Sequence, residues 1–182
     1  MANVLLGVSA GIAAYKSADL ASKLTQRGDA VVTLMTPNAL KFITPLTFRA
    51  LTRRKVYTET FEDAPDADTQ HISLAQWADV FIVAPATADL LARLAVGMGD
   101  DIVTATALVF LGPRVLSPSM NDQMWSNPLV QANLARLSEV GYQVVEPDSG
   151  HLACGSSGPG RLAPVESIIE AMDGEIAKAN DS

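Results

Sequence analysis

The sequence predicts an α/β fold in which helices cover both faces of a mostly parallel sheet. Short, continuously apolar runs such as Asn3–Val8 and Asp79–Ala84 are typical of strands that are buried on both faces. Between these runs, apolar residues recur at helical spacing, and glycine or proline separates the segments. Because strands and helices alternate to the end of the chain, we expect a Rossmann- or flavodoxin-like three-layer sandwich.

The first half of the chain supplies two of the predicted strands. Its elements are, in order, the strand Asn3–Val8, the helix Ile12–Arg27 ended by Gly28, the strand Ala30–Met35, the turn Thr36-Pro37-Asn38 and the helix Ala39–Leu51, broken at Pro45. The stretch Glu59–Asp68 that follows contains five acidic residues and a proline. We interpret it as a solvated, mobile loop.

The second half of the chain continues the alternation. Its elements are the strand Asp79–Ala84 ending at Pro85, the helices Ala86–Val96 and Asp101–Leu111, the strand Arg114–Leu116, the helix Pro128–Val140 ended by Gly141, the strand Tyr142–Val145 and the helix Pro164–Lys178. The glycine-rich segment Gly150–Gly160 is expected to be a mobile loop. We expect residues 1–178 to form a single domain and residues 179–182 to fray.

Composition excludes several classes of function. The 182 residues are 48% hydrophobic and 18% charged, as in a folded domain, and a net charge of −7 gives no general attraction to nucleic acid or to an anionic membrane. A single cysteine excludes an intrachain disulfide and a cysteine-cluster metal site. No apolar run approaches the ~18 residues of a membrane span. Since no basic segment precedes the first strand, we expect a cytoplasmic protein.

The carboxyl ends of the strands are the expected place of function, because ligands of open α/β sheets bind there. The segments that follow the strands are Ser9-Ala10-Gly11, Thr36-Pro37-Asn38, Pro85-Ala86-Thr87-Ala88-Asp89 and Ser117-Pro118-Ser119-Met120-Asn121. The first of them lacks the GxGxxG pattern, which disfavours a nicotinamide cofactor. Its small residues still let a ligand approach the backbone and the start of a helix.

Four single residues are candidates on their own chemistry. An ordinary helix N-cap explains Thr87, and a lone histidine such as His71 is more often structural than catalytic. Asn121 is a polar group among methionines and a tryptophan, immediately after a strand. Cys154 is surrounded by glycines, which favours a flap that closes on substrate and carries a proton-donating thiol.

Five motifs together resemble one family, the homo-oligomeric flavin-containing cysteine decarboxylases. They are VSAGIAAYK at 8–16, HISLAQWAD at 71–79, PATAD at 85–89, PSMNDQMW at 118–125 and ACGSSGPGR at 153–161. The resemblance extends from residue 3 to about residue 172. Within the family it is strongest to the branch that decarboxylates 4′-phosphopantothenoylcysteine in coenzyme A biosynthesis.

The resemblance implies FMN bound between the subunits of a homotrimer or of a multiple of trimers. The implied flavin contacts are Ala10, Gly11, Ile12, Thr36, Pro37, Asn38, Thr87, Ala88, Asp89, Leu90 and Ser119. His71 matches the catalytic histidine, Asn121 the asparagine that holds the substrate carboxylate, and Cys154 the cysteine that protonates the intermediate. Two positions depart from the common pattern: Asp89 replaces an amide and Ser119 a frequent alanine.

The implied reaction oxidises the substrate to a thioaldehyde, releases CO2 and reduces the resulting enethiolate to 4′-phosphopantetheine, with no net redox change and no metal. A separate ligase protein is expected to supply the substrate. Two alternatives remain open: oxidative decarboxylation of a peptide's C-terminal cysteine, which does not need the reducing cysteine, and a flavin-binding regulatory subunit without catalysis. A flavin prenyltransferase is disfavoured because its motifs are absent from the sequence.

Overall fold

The computed structural model describes residues 1–60, 70–151, 153, 155 and 157–181. Its centre is a parallel sheet of six strands: β1 (Asn3–Val8), β2 (Ala30–Met35), β3 (Val56–Tyr57), β4 (Val80–Ala86), β5 (Arg114–Pro118) and β6 (Tyr142–Val144). The strands lie in the order β3-β2-β1-β4-β5-β6. The order reverses between β1 and β4, so a crevice is expected at the carboxyl ends of these two strands. The predicted fold class is confirmed.

Helices cover both faces of the sheet. They are α1 (Ala14–Arg27), α2 (Pro45–Thr52), α3 (Gln70–Trp77), α4 (Ala88–Ala95), α5 (Ile102–Val109), α6 (Asp122–Trp125), α7 (Pro128–Glu139) and α8 (Val165–Asn180), with a 3-10 turn at Ala39–Lys41. Buried residues of α1, α2 and α8 form one core cluster with the strands, and those of α3, α4, α5 and α7 form another. No described helix is both long enough and apolar enough to span a membrane.

The apolar strands explain why there are two cores. Along β1, Val4 and Leu6 enter the cluster beneath α1, whereas Leu5 between them enters the cluster on the opposite face. The same alternation places Ile82 of β4 on the first face and Phe81 on the second. Since side chains of a strand point to alternate faces, a continuous apolar run fills both layers at once.

Strand β4 extends two residues beyond its predicted end. It continues through Pro85 to Ala86, and its pairing with β5 is irregular between Val83 and Ala86. Proline has no N–H to donate, so a proline in a strand is tolerated where the ladder is already interrupted. The prediction that the strand ends at Pro85 was wrong, because the interrupted pairing lets the strand continue through the proline.

The glycine-rich segment also departs from its prediction. Asp148–His151 (β7) and Ser157–Arg161 (β8) pair as an antiparallel hairpin, so the description as a loop throughout was wrong. Backbone hydrogen bonds hold such a ribbon, and they leave no pattern of apolar side chains in the sequence. Strand β3 and helices α3 and α6 were not predicted either, and α8 ends at Asn180, two residues past its predicted end. Of the predicted acidic loop, residues 61–68 lie outside the described residues.

Candidate functional site

Two adjoining cavities open at the carboxyl end of the sheet. The first, of about 680 Å³, lies between the turn after β1, the ends of β4 and β5, and the β7–β8 hairpin. The second, of about 450 Å³, lies between the turns after β1 and β2, helix α4 and the start of α5. Both volumes fall in the range of small-molecule sites. The cavities share Ala10, Thr87 and Met124, so one elongated ligand can occupy both.

The eleven residues predicted to contact the flavin all line these cavities. Ala10 and Thr87 line both of them. The others divide into Gly11, Ile12, Ala88 and Ser119 at the first cavity and Thr36, Pro37, Asn38, Asp89 and Leu90 at the second. The predicted set, which comes from four separate segments of the chain, is therefore brought together at one edge of the sheet.

The junction between β1 and β4 is fixed by one buried serine. The Ser9 hydroxyl donates a hydrogen bond of 2.7 Å to the Pro85 carbonyl oxygen and accepts one of 3.1 Å from the Thr87 N–H. Thr87 in turn caps α4, because its Oγ1 accepts from the Leu90 N–H at 3.3 Å. The N-cap interpretation of Thr87 is confirmed, and the same residue borders both cavities.

The hairpin is attached to the end of β5 at Gly160. The Gly160 carbonyl oxygen accepts the Met120 N–H at 2.9 Å and the Ser119 hydroxyl at 3.2 Å. A Cβ at position 160 would collide with the Met120 carbonyl oxygen, and the Gly160 φ of 136° is one that side chains rarely adopt. The extra hydroxyl of Ser119 therefore has a partner within the chain.

Asn121 lies on the wall of the first cavity, between Met120 and Met124. Its Oδ1 accepts the Gln123 N–H at 2.8 Å and so caps the short helix α6. This capping bond fixes the orientation of the Asn121 side chain, and a side-chain amide carries N–H groups of the kind that bind a carboxylate. Trp125, from the same motif, packs into the core cluster beneath α7 and is not among the residues lining either cavity.

Two cations of the first cavity escaped the sequence analysis. Lys16 and Arg161 both line it, and Arg161 lies across Gly150 of the hairpin, where any Cβ would meet its guanidinium. Burial, and secondarily the charge of Arg161, lower the pKa of Lys16 below its ordinary value, while Asp148 partly opposes them. The signal was present in the motifs at 8–16 and 153–161, which end in these two residues. Together they form a place for an anionic group.

Arg93 was also missed, and it lines the second cavity with three carboxylates. Its guanidinium lies 2.9 Å from Asp89, 3.2 Å from Asp100 and 3.1 Å from Asp101. Burial opposes the charge of Arg93, but the three carboxylates outweigh it and hold the pKa of the guanidinium above its ordinary value. Asp89, the carboxylate that departs from the family pattern, is thus paired through an i,i+4 contact on α4.

His71 is not brought to the cavities of its own chain. It lies at the start of α3, which packs against α5, and it lines neither cavity. Its Nδ1 is buried and has no hydrogen-bond partner among the described residues. Cys154 lies outside the described residues, although the neighbouring Ala153 lines the first cavity.

Comparison with known proteins identifies what this arrangement is similar to. The flavoprotein family matches residues 1–177. The coenzyme A biosynthesis bifunctional protein CoaBC of Bacillus subtilis (strain 168) is 46% identical over 176 residues, which are 97% of this chain and 43% of that protein. The chain thus spans less than half of the bifunctional relative. A probable phosphopantothenoylcysteine decarboxylase of Streptococcus mutans is 43% identical over 175 residues, which are 95% of this chain and 98% of that one.

Solved structures of flavin-dependent cysteine decarboxylases are also similar to this chain. A PPC decarboxylase mutant complexed with pantothenoylaminoethenethiol superposes with a TM-score of 0.86 at 29% identity, covering 94% of this chain and 96% of the other. The FMN-dependent cysteine decarboxylase SpaF superposes with a TM-score of 0.83 at 33% identity, covering 98% and 97%. The likeness therefore includes the whole six-stranded sheet and both helical layers.

Proposed function

Because the chain belongs to the flavoprotein family, we propose that it is an FMN-dependent decarboxylase that converts 4′-phosphopantothenoylcysteine to 4′-phosphopantetheine. One observation carries the proposal. The predicted flavin contacts line two adjoining cavities, and Asn121, Lys16 and Arg161 stand on the wall of the larger one. A relative of nearly the same length bears the name of this activity. We place the reaction in the cytoplasm.

The cavities fit a flavin mononucleotide in shape and chemistry. The larger cavity has an apolar wall that includes Ile12 and Met124 and suits the isoalloxazine ring. The smaller cavity offers the Thr36 and Asn38 side chains and the first N–H groups of α4, which suit the ribityl phosphate. Ala10 and Gly11, between the two, leave room for a ligand against the backbone.

The substrate's two anionic ends have separate partners in the larger cavity. The Asn121 amide is proposed to hold the carboxylate of the cysteine moiety, and its capping bond to α6 fixes the direction of that amide. Lys16 and Arg161 are proposed to bind the phosphate at the other end. A small phosphorylated substrate uses both features, whereas a peptide's C-terminal cysteine has no need of the second.

A cysteine carboxylate does not lose CO2 readily, because the carbanion left behind has nowhere to delocalise. FMN, when bound, supplies the missing chemistry by taking two electrons from the CH2–SH group and returning them after CO2 has left. His71 is proposed to assist proton removal at the start, since an imidazole nitrogen can accept a proton from a bound substrate. Cys154 is proposed to donate the final proton to the enethiolate.

A second copy of the chain must supply His71 if this assignment holds. His71 is the second residue of α3, its Nδ1 is buried and unpartnered among the described residues, and it lines neither cavity of its own chain. On α3 and α5, which pack against each other, Ile72, Leu108 and Val109 are exposed apolar side chains. We propose that this face packs against a neighbouring subunit of a homotrimer and brings His71 to the neighbour's flavin.

The product formed from 4′-phosphopantothenoylcysteine tests the proposal. Purified, flavin-containing protein is incubated with this substrate, and the product is identified by mass. Loss of CO2 alone is the expected result. Loss of CO2 together with two hydrogens would contradict the proposal and indicate oxidative decarboxylation. The absence of any reaction would contradict it in favour of a flavin-binding regulatory protein. Cys154→Ser, which removes the acid needed only at the last step, is expected to stop at the enethiol.

A further inference from the structure

The smaller cavity presents a conflict of charge. Its described lining carries three carboxylates, those of Asp89, Asp100 and Asp101, and a single cation, Arg93. The same cavity is the one proposed above for the phosphate of the flavin. Carboxylates facing a phosphate repel it, and in a partly enclosed cavity water screens the repulsion less than on an open surface. Something in the site must offset these charges.

Arg93 contacts all three carboxylates. Its Nη2 lies 2.9 Å from Asp89 Oδ2 and its Nε 3.3 Å from Asp89 Oδ1, so both oxygens of that group are engaged. Its Nη1 lies 3.2 Å and 3.3 Å from the two oxygens of Asp100 and 3.1 Å from Asp101 Oδ2. One planar guanidinium thus draws together carboxylates from α4 and from the turn before α5.

Asp101 cannot turn away from the cavity to relieve the conflict. It is buried, and its Oδ1 accepts the Thr104 N–H at 2.9 Å as the N-cap of α5. Its second oxygen is the one that Arg93 contacts. Because the cap fixes this carboxylate, its charge has to be offset where it stands, and Arg93 is the cation in place to do so.

We propose that Arg93 is a positioning residue that offsets part of the negative charge of the carboxylates at the smaller cavity and thereby raises the affinity for a phosphorylated flavin relative to riboflavin. The inference rests on the proposed function, since it takes the flavin phosphate to enter this cavity. Arg93 acts through Asp89, Asp100 and Asp101 and needs no contact with the phosphate itself. Removing its charge leaves three uncompensated carboxylates opposite the phosphate and affects riboflavin, which has no phosphate, much less.

The test is an equilibrium competition on the holoprotein. Wild type and the Arg93→Gln and Arg93→Lys variants are dialysed against equal concentrations of FMN and riboflavin, and the bound flavins are extracted and quantified. We expect Arg93→Gln to lower the bound FMN:riboflavin ratio about fivefold, Arg93→Lys to lower it less, and high salt to shrink the difference. Asp100→Asn, which removes one carboxylate, is expected to raise the ratio.

A matched control is present elsewhere in the chain. Arg27 bridges Asp29 and Asp173 at 2.7 Å each, away from both cavities, so Arg27→Gln breaks a similar network without touching the site. Its FMN:riboflavin ratio is expected to equal that of the wild type. If Arg93→Gln still binds flavin with an unchanged FMN:riboflavin ratio, or loses both flavins equally, the inference about Arg93 is wrong. The proposed function would not be affected by either result. A wild-type protein that binds neither flavin would overturn the proposed function together with the inference.

Discussion

At the amino end of the sheet the chain pairs its own polar groups, whereas at the carboxyl end the polar groups border open cavities. Asp29 accepts the Ala2 N–H at 2.9 Å, and Asp79 accepts the Asn3 N–H at 2.7 Å, so both bonds tie the first strand to later parts of the chain. Arg27 then joins Asp29 to Asp173 of α8. These contacts all form within one copy of the protein.

The carboxyl end uses similar residue types for a different purpose. Ser9 and Thr87 fix the backbone there, but Lys16, Asn121 and Arg161 border a cavity large enough for a ligand. The comparison indicates that the end of the sheet at which a charged or capping residue lies predicts whether it serves stability or ligand binding. Substitutions at the amino end are expected to change the free energy of unfolding, and substitutions at the carboxyl end to change activity.

The largest effect is expected from Asn121→Asp. Aspartate still caps α6, so the fold is retained, but its carboxylate repels that of the substrate. CO2 release measured on the flavin-containing variant should fall by about a thousandfold. Asn127→Asp is the matched control, because Asn127 caps α7 in the same way and lines neither cavity. Near-normal turnover of Asn121→Asp would mean that the site has been misassigned.

Gly160→Ala should have the next largest effect, because it detaches the hairpin from β5. The new Cβ meets the Met120 carbonyl oxygen, and the strained backbone at this φ adds about 1–3 kcal/mol. We expect turnover to fall while the circular dichroism of the main sheet is retained. Gly174→Ala, in α8 with nothing within 4 Å of the added Cβ, is expected to stabilise the protein by about 1 kcal/mol and to leave turnover unchanged. Equal turnover in the two variants would contradict the role given to the hairpin.

Lys16→Gln should weaken binding of the phosphorylated substrate specifically. We expect KM for 4′-phosphopantothenoylcysteine to rise about tenfold, with little change for the same compound lacking its phosphate. Since burial lowers the pKa of Lys16, the wild-type ammonium loses its proton at a lower pH than an ordinary lysine. The wild-type KM should therefore begin to rise at a lower pH than an ordinary lysine would give, whereas that of Lys16→Gln should show no such rise. A parallel rise in both proteins would assign the pH dependence to another group.

The smallest effect on activity is expected from Asp29→Asn at the amino end. The amide can still accept the Ala2 N–H, but it loses the charge that faces Arg27, and this side chain is only 3% exposed. Denaturant unfolding should show a loss of about 1–3 kcal/mol. Turnover at a temperature well below the unfolding transition should be that of the wild type. A clear change in KM would mean that the two ends of the sheet are not independent.

The sequence predicted the sheet well because the strands are apolar on both faces. The bounds of β1 and β2 and the cap at Gly28 follow directly from apolar runs and a glycine stop. Strand β3 has only two residues, too few to produce a pattern, and the hairpin is held by backbone bonds that do not depend on side chains. The irregular end of β4 depends on its pairing with β5, which local sequence does not specify.

The candidate site could be predicted only where a motif carried it. Resemblance supplied the flavin contacts and Asn121, and the structure places them at two adjoining cavities. Arg93 was missed because its importance depends on which residues approach it in space. In the sequence Arg93 is an ordinary helix residue, and only the fold brings Asp100 and Asp101, in the turn before α5, into contact with it. Conversely, the position of His71 away from its own cavities was not foreseen.

The contrast between the two ends is tested most directly by subunit complementation. The carboxyl end is proposed to be completed by His71 of a second copy, so His71→Asn and Asn121→Asp should each be inactive alone. Co-expressed, they should regain activity, since random mixing in a trimer puts intact His71 opposite intact Asn121 at about a quarter of the sites. Different affinity tags on the two variants, used one after the other in purification, isolate the oligomers that contain both, and size-exclusion chromatography with light scattering gives the size of those oligomers. A mixed oligomer that stays inactive would contradict the claim that the site lies between subunits.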